Sequence, residues 1–419
     1  MALGGAMIAL CAAVTGLGSL RDRIPEFLLL DAALFACYVA AITRLPRVSG
    51  TDRSPLLVIV AVGVLCRVIL LVGPPSLSDD VSRYLWDGRV QQAGINPYQY
   101  PPDHHELAFL RTPGDAEINH PALETIYPPL AQWVFRAAAT VSPTVFAQKA
   151  AFALFDVATI GAVAALLLRR GRPPAWCLIY AWNPLVLIEF AHSGHLDALA
   201  IFWLVLALWA LAGHRPAGGM ASLALSALAK YFAVLLLPYA VFRPQLRRWV
   251  PLFLAVTALG YVAFLDSPRT WFASVGVYAA QWEFNSATFT LLNWVIGDGA
   301  WTRAALLAAL VAWSLYHAAR RQDSVHYAYL VIGFALAFSP TLHPWYVCWI
   351  VPFLCIYPSR AWIAFTGLVP FSYWVWVDAQ GGGAWTVRPE LLALEYVPFY
   401  TLLLWETRRG VTGRSEIAA

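Results

Sequence analysis

Two adjacent carboxylates, Asp79 and Asp80, combine a residue type and a position that suit catalysis. They follow an apolar run that ends at residues 72–75, so they lie where a membrane helix would meet water. A carboxylate there could take a proton from a hydroxyl group as a general base. A helix over the following residues would bring four polar side chains to one face: Asp80, Arg83, Tyr84 and Asp87. The alternative is a solvated amphipathic helix on a membrane surface.

Arg83 stands one helical turn after the two aspartates. Its guanidinium group could hold an anionic leaving group such as a phosphate. It could equally pair with Asp79 at i+4 and only support the helix. Further along the same loop, His120, Glu124 and Tyr127 precede the next helix, where polar residues are typical of loop scaffolding as well as of binding sites.

Four ionisable residues surround a short turn between two apolar segments: Glu189, His192, His195 and Asp197. Two histidines and two carboxylates could ligate a metal ion, although their spacing matches no specific metal site. They could instead hold the turn beneath an active site through hydrogen bonds. On the preceding apolar segment, Asp156 could face a cavity or pair with Arg67, which is embedded in another segment.

Aromatic and amide side chains recur in two later polar stretches. Trp282 and Asn285 lie in the loop 266–300, and His343 and Trp345 lie in a short turn. Aromatic residues at such positions commonly anchor a protein at the membrane interface. Their flat faces also suit a sugar ring or an isoprenoid chain.

The composition is that of a polytopic membrane protein. Of the 419 residues, 60% are hydrophobic and 12% charged, and the mean hydropathy is +0.62. We predict an all-α membrane bundle in which residues 1–419 form one domain without a separate soluble domain. About 12 spanning helices are expected at 3–20, 26–43, 54–73, 144–168, 174–191, 195–212, 249–265, 301–319, 325–341, 344–357, 361–378 and 390–406.

Basic residues cluster in alternate loops, and this pattern predicts the orientation. The positive-inside rule assigns the loops around residues 44–53, 169–172, 243–248 and 320–321 to the cytoplasm, together with both termini. The formal charge of +4 therefore reflects topology, and nucleic acid is not an expected partner. Two large loops then lie outside the cytoplasm with short helices of their own: residues 74–143, which carry the acidic motif, and residues 266–300.

The segment 216–244 does not fit a single crossing, because arginines at both ends favour the same side. We predict two half-helices that form a re-entrant hairpin with Lys230 at its buried tip. A charge at that depth needs protein or a water-filled cavity beside it. One long tilted helix with a snorkelling lysine is the alternative.

Six motifs, taken in order, resemble those of the GT-C glycosyltransferases, and most closely the bacterial mannosyltransferases that use polyprenol-phosphate mannose. They are SDDVSRYLWDGRVQQAGINPY (78–98), YPPL (127–130), WNPLVLIEFAHSGHLDAL (182–199), ALAKYFAVLLLP (227–238), QWEFNSATF (281–289) and SPTLHPWYVCWIVP (339–352). The resemblance covers roughly residues 60–355.

The resemblance implies inverting transfer of a sugar, mannose by preference, from a polyprenyl phosphate to a hydroxyl group of a lipid or glycan acceptor. The family's catalytic acid maps onto Asp80, four residues before Tyr84, with Asp79 as the alternative. Its phosphate-binding arginine maps onto Arg83, and two further phosphate candidates are Lys230 and His343. Candidates for sugar or acceptor binding are Tyr84, Asp87, Glu124, Tyr127, His192, His195, Asp197, Trp282, Asn285 and Trp345.

The expected location of the reaction and two alternative functions complete the prediction. The resemblance implies the inner membrane of a bacterium, with membrane lipids as neighbours and the active site on the outer face. No cofactor is expected, and a divalent metal is compatible with the chemistry but not indicated. Two other functions fit a charged cavity in a membrane: a flippase or transporter for lipid-linked sugars, and a glycan ligase or polymerase that uses lipid-pyrophosphate donors.

Overall fold

The computed structural model describes residues 1–45, 54–112, 118–320 and 322–409, and it confirms the all-α prediction. Helices account for 75% of the structure. Within the described residues there is no β-strand, and a single bridge pairs Phe284 with Thr341. The chain therefore satisfies its backbone hydrogen bonds within helices, which is what an apolar environment requires.

The first third of the chain contains three apolar helices, two short helices of the first large loop, and one long helix. They are α1 (Ala2–Gly16), α2 (Ile24–Ile42), α3 (Ser54–Leu71), α4 (Asp80–Gln92), α5 (Pro129–Val141) and α6 (Val145–Arg169). Proline at the first position of α5 suits a helix start, because the missing amide donor would be unpaired there anyway. Thr144 caps α6 by accepting a hydrogen bond from the amide of Ala147.

The middle of the chain is a series of shorter and interrupted helices. They are α7 (Leu178–Ala181), α8 (Pro184–Val186) with a π-helical turn (Leu187–His192), α9 (Asp197–Ala212), α10 (Pro216–Ala229), α11 (Leu237–Val241), α12 (Pro244–Arg247) and α13 (Val250–Tyr261). The chain bends by 60° between residues 181 and 184. Pro184 cannot continue a helix from the preceding residues, and the Asn183 side chain caps the new one.

The last third begins with two helices of the second large loop and continues with helices that are broken by proline. They are α14 (Ala273–Gln281), α15 (Ala287–Ile296), α16 (Gly299–Ala319), α17 (Ser324–Ala337), α18 (Pro344–Val347), α19 (Val351–Leu354), α20 (Arg360–Leu368), α21 (Val375–Gln380) and α22 (Pro389–Arg408). One buried apolar cluster runs through the bundle from Met7 to Phe399. The assignment of residues 1–419 to one domain stays a prediction.

The prediction of about 12 spanning helices is not confirmed. Three described helical stretches are long and apolar enough to cross a membrane: Leu20–Ile42, Val145–Arg169 and Pro244–Phe264. The bent pair Pro174–Ala181 and Pro184–His192 makes a fourth if it counts as one span. Many of the other predicted spans are helices of 10–17 residues, such as Ser324–Ala337. The mean hydropathy of a window is hardly changed by one proline in its middle, whereas a straight helix ends there. One long apolar stretch can therefore consist of two short helices.

The predicted break at Lys230 is present. This residue has an extended backbone (φ −156°, ψ 134°) between α10 and the 3₁₀-helix Tyr231–Leu236. The two arms then run side by side, because Met220 of the first arm and Tyr239 of the second line the same small cavity. The chain therefore reverses at Lys230, and the depth of this hairpin in a bilayer stays a prediction.

Candidate active site

A cavity of about 750 Å³ lies between the two large loops, and the start of α4 forms part of its wall. Its other walls come from residues 119–128, the break at Lys230, α14, the turn 339–346 and the segment 373–385. The two large loops predicted from sequence therefore meet around one site. A cavity of this size lies within the range of small-molecule binding sites.

Asp79 and Asp80 face this cavity and share one hydrogen-bond donor. The side-chain nitrogen Nδ2 of Asn119 donates to Asp79 Oδ1 (3.0 Å) and to Asp80 Oδ1 (2.8 Å). Asp79 is the N-cap residue and Asp80 the first residue of α4, where the helix dipole favours negative charge. Two acids are thus held side by side at a helix start, and both are accessible from the cavity.

The surroundings of Asp80 change its pKa. Its side chain is 22% exposed. Burial, and after it the neighbouring charge of Asp79, raises the pKa of Asp80 to about 6, against opposing effects of Lys230 and Asn119. A carboxyl group with such a pKa is mostly ionised at pH 7, yet it accepts a proton more readily than an ordinary aspartate.

Arg83 also lines the cavity, and its carboxylate partner is Asp87 rather than Asp79, which was the alternative to phosphate binding. The Nε atom contacts Asp87 Oδ1 at 3.1 Å, and Nη2 donates to the carbonyl oxygen of Leu123 at 2.9 Å. Asp87 is one turn further along α4, and its second oxygen accepts a hydrogen bond from Gln132. The i+4 pairing therefore forms in the opposite direction along the helix, and it fixes the guanidinium group in the cavity wall.

Lys230 brings a second cation to the cavity. Its Nζ atom contacts both oxygens of the buried Asp197 at 2.7 Å and lies 4.3 Å from the ring centre of Tyr346. Asp197 also accepts a hydrogen bond from Trp349 Nε1 at 2.6 Å. Since Asp197 is buried and Lys230 is 22% exposed, the ion pair presents its cationic end to the cavity.

Four aromatic rings are stacked in a column beside the two aspartates. The distances between ring centres are 4.6 Å from Phe284 to His343, 4.3 Å from His343 to Trp345, and 3.9 Å from Trp345 to His195. Burial and the charge of Lys230 lower the pKa of His343 to about 3, so at neutral pH it offers a hydrogen bond rather than a charge. The bridge at Phe284 ties the second large loop to this column.

Ten of the fifteen residues predicted for the site line the cavity, and the structure does not test their roles. They are Asp79, Asp80, Arg83, Tyr84, Glu124, Tyr127, Lys230, Trp282, His343 and Trp345. Three more lie directly behind the wall, because Asp87 contacts Arg83, Asp197 contacts Lys230, and His195 stacks on Trp345.

Two predicted site residues do not reach the cavity. Asn285 is buried and donates a hydrogen bond to Glu395 on α22 at 2.7 Å. His192 is fully buried and lies against Gly73. The sequence could not exclude them, because a polar residue close to a motif in the chain can point away from it. The sequence left open whether Asp156 faces a cavity or pairs with Arg67. Asp156 is buried, and its Oδ2 atom lies 2.6 Å from Arg67 Nε, so the two residues form an ion pair.

The site prediction left out many residues that line the cavity, and three of them carry hydrogen-bonding groups that matter below: Asn119, Tyr278 and Tyr346. The hydroxyl oxygens of Tyr278 and Tyr346 are 2.7 Å apart. Asn119 stands beside His120 in the first loop, and its polar neighbourhood was the only signal that could have indicated it. No group of three or more side chains that could hold a metal ion is found among the described residues.

An all-helical chain with long apolar helices and a polar cavity is compatible with a membrane glycosyltransferase, and the comparison with known families shows which class it is. A family model described as alpha-(1->6)-mannopyranosyltransferase, N-terminal domain, matches residues 9–244, more than half of the chain. The chain belongs to this family. The search of curated proteins and the search of solved structures gave no match. The matched region includes both aspartates and Lys230, and it ends before His343.

Family membership confirms the coarse functional prediction. The protein is an enzyme, a glycosyltransferase that transfers mannose. Such an enzyme needs a sugar donor and an acceptor, and the long apolar helices agree with association to a membrane.

Proposed function

We propose that the protein transfers mannose from a polyprenyl phosphate to a hydroxyl group of a lipid or glycan acceptor, with inversion at the anomeric carbon and Asp80 as the general base. The observation that carries this proposal is the position of Asp80. It combines access to the cavity, a pKa of about 6 and a fixed orientation through Asn119. The family description suggests an α-(1→6) linkage, which would make the acceptor a primary hydroxyl group.

The reaction needs one proton transfer and one bond exchange. The acceptor oxygen attacks the anomeric carbon while its proton passes to Asp80, and the bond between that carbon and the phosphate oxygen breaks. The polyprenyl phosphate leaves with the bonding electrons. The negative charge that grows on the phosphate in the transition state requires nearby donors that are already in position.

Cationic groups for the phosphate stand on two sides of the cavity. Lys230 presents its ammonium group from the hairpin, and Arg83 presents its guanidinium group from α4. Phe232, Trp376 and Trp385 add apolar wall that suits an isoprenoid chain. Trp282 and His120, whose ring centres are 4.7 Å apart, also line the cavity and suit a sugar face.

We infer that the reaction takes place on the extracytoplasmic side of a bacterial inner membrane, with both termini in the cytoplasm. The distribution of basic loops supports this orientation. A donor that is attached to a membrane lipid reaches such a site from the bilayer. Soluble nucleotide sugars are absent from that compartment.

The test uses the purified full chain in lipid nanodiscs with radiolabelled donors. Polyprenyl-phosphate mannose should support transfer to an alkyl mannoside with a free 6-hydroxyl group, and the matched 6-deoxy acceptor should give no product. GDP-mannose and a polyprenyl-pyrophosphate sugar serve as competing donors. The pyrophosphate arm distinguishes the ligase or polymerase alternative.

Asp80→Asn should lower kcat by roughly 100-fold or more, because a general base contributes about 10²–10⁴ to the rate. Slow release of mannose from the donor without acceptor gives a second readout, so an unsuitable acceptor does not hide activity. Full transfer by the double variant Asp79→Asn, Asp80→Asn would exclude the mechanism. Transfer from GDP-mannose alone would exclude the lipid donor.

A further inference from the structure

Two buried side chains behind Asp80 have polar atoms without hydrogen-bond partners. His195 is 1% exposed and Glu189 is 0% exposed. Among the described residues, neither ring nitrogen of His195 has a hydrogen-bond partner, and neither does Glu189 Oε2. Buried polar atoms in native proteins are nearly always paired, so this cluster calls for a physical explanation.

The unpaired atoms point at one another and at Asp80. His195 Nδ1 is 3.6 Å from Asp80 Oδ2, and His195 Nε2 is 3.4 Å from Glu189 Oε2. Both separations are slightly longer than a hydrogen bond. Catalytic hydrogen bonds are often long in an empty site and shorten when the substrate is bound.

The backbone holds this arrangement rigidly. The amide of His195 donates to the carbonyl oxygen of Glu189 at 3.0 Å, so the turn brings the two residues together. Gly194 has φ +78°, and a Cβ atom there would lie 2.7 Å from Lys149 Cγ, so only glycine fits. The stacking of Trp345 at 3.9 Å fixes the plane of the imidazole ring.

The charge state of His195 limits its hydrogen bonds. Burial, with smaller effects of Lys230 and His343, lowers the pKa of His195 well below its ordinary value. The ring is therefore neutral, with one N–H group and one nitrogen lone pair. If Nδ1 carries the hydrogen and faces an ionised Asp80, then Nε2 can only accept. Glu189 can supply a hydrogen to Nε2 only as the carboxylic acid.

We propose that His195 and Glu189 are positioning residues for the base: Glu189 as a carboxylic acid donates to His195 Nε2, and His195 Nδ1–H donates to Asp80 Oδ2. The chain of donors begins at Tyr373, whose hydroxyl group donates to Glu189 Oε1 at 2.8 Å. This inference rests on the proposed role of Asp80. No proton leaves His195 or Glu189 during turnover, and the proton of the acceptor ends on Asp80.

The test compares matched variants by kcat, KM and the acid limb of the pH–rate profile. His195→Phe keeps an aromatic ring against Trp345 and removes the donor. It should lower kcat by roughly 10- to 100-fold, as expected for a lost hydrogen bond to a charged group, while KM changes less than about threefold. The acid limb should move to higher pH, because the ionised Asp80 loses a stabilising donor. His195→Asn can still donate from near the position of Nδ1 and should recover part of the loss.

Glu189 offers the sharper comparison. Like His195→Phe, Glu189→Met should lower kcat and move the acid limb of the pH–rate profile to higher pH. Glu189→Gln should recover most of that loss, because its amide N–H can donate to Nε2 while its carbonyl oxygen accepts from Tyr373. A Glu189→Gln enzyme as impaired as Glu189→Met would show that Glu189 must ionise, and this would overturn the proposal.

The pH profile must be interpreted with the charged and titratable groups around Asp80 and His195, which are Asp79, Glu189, Asp197, Lys230, His343 and the tyrosines Tyr84, Tyr127, Tyr278, Tyr346 and Tyr373. His192→Asn is the matched control, since it removes another buried, unpaired histidine of the same turn and should leave the acid limb where it is in the wild type. If Asp80→Asn is inactive but His195→Phe leaves the acid limb unmoved, only this inference fails. If Asp80→Asn keeps full activity, the proposed role of Asp80 as the base fails, and this inference fails with it.

Discussion

At the scale of single residues, the charge of Asp79 acts on Asp80 through space. The two carboxylates are adjacent, and the negative charge of Asp79 contributes to raising the pKa of Asp80 to about 6. Activity should therefore rise with pH through about 6, because Asp80 must lose its proton to act as a base.

Asp79→Asn should move this acid limb to lower pH. The substitution removes a like charge, so the ionised form of Asp80 becomes easier to reach. The loss in kcat should be about tenfold or less, against roughly 100-fold or more for Asp80→Asn. A pH–rate profile of kcat for the two variants checks the assignment. If Asp79→Asn caused the larger loss, Asp79 would be the base.

Asn119→Ala should move the acid limb in the opposite direction. Its amide donates to Asp80 Oδ1 at 2.8 Å and lowers the pKa of that carboxyl group. Without this donor the ionised form of Asp80 is less stable, so activity should require a higher pH. The same pH–rate measurement applies, and shifts of equal sign for Asn119→Ala and Asp79→Asn would contradict the electrostatic account.

The sequence predicted the acids of this site because residue type and spacing are visible along one helix. It did not predict Asn119, since the hydrogen bond to Asp80 joins residues 39 positions apart. It also could not tell that Asn285 faces Glu395 rather than the cavity. Local patterns identify candidate side chains, and the packing of distant segments decides where each one points.

At the scale of helices, the position of α4 depends on its close contact with α5. A Cβ atom on Gly88 would lie 2.6 Å from the carbonyl oxygen of Phe135 and 3.0 Å from the Cβ atom of Ala139. The carbonyl oxygen of Phe135 belongs to the backbone, so this contact could be relieved only if α4 or α5 moved. The distance between α4 and α5 therefore sets where Asp80 enters the cavity.

Gly88→Ala should lower the free energy of unfolding by roughly 1–3 kcal/mol, the usual cost of overpacking, and reduce kcat by displacing α4. Gly161→Ala on α6 is the matched control, because nothing lies within 4 Å of its added Cβ atom. That control should be neutral or more stable by up to about 1 kcal/mol. Thermal unfolding in detergent micelles measures both, and equal stability of the two variants would contradict the packing argument.

The buried pair of Arg67 and Asp156 connects α3, α6 and the bend after α7. Arg67 contacts Asp156 through two nitrogens, at 2.6 and 3.0 Å, and donates to the carbonyl oxygen of Ala181 at 2.7 Å. Asp156→Ala should lower the free energy of unfolding by roughly 3–5 kcal/mol, since it leaves a buried cation unpaired. The double variant Arg67→Met, Asp156→Leu should recover much of this loss in the same unfolding assay. A double variant less stable than Asp156→Ala would refute this interpretation.

The sequence predicted that helices occupy each long apolar stretch, and it predicted the break at Lys230 from the charges at both ends. It did not predict the 60° bend before Pro184 or the π-helical turn over Leu187–His192. Hydropathy averages over about 20 residues and is insensitive to a local change in direction. These interruptions are the features that bring Glu189 and His195 behind Asp80.

At the scale of the whole molecule, three of the basic loops lie next to one another, around residues 169–172, 243–248 and 320, while residues 46–53 of the fourth lie outside the described part of the chain. Arg170 contacts Asp323 at 2.8 Å, and Arg243 donates to the carbonyl oxygen of Ala318 at 2.9 Å. These three loops are therefore neighbours in space as well as alike in charge. The positive-inside rule would place them together in the cytoplasm, and this orientation stays a prediction.

Single cysteines at Ala300 and Arg248 should report this orientation. Both residues are exposed, the first in the second large loop and the second among the basic loops. The background variant is Cys37→Ser, because Cys37 is partly accessible while the other five cysteines are buried. In intact spheroplasts, a membrane-impermeant maleimide should label Ala300→Cys and should label Arg248→Cys only after permeabilisation. Labelling of Arg248→Cys alone in intact cells would invert the topology and move the proposed reaction to the cytoplasmic face, where nucleotide sugars would become available as donors.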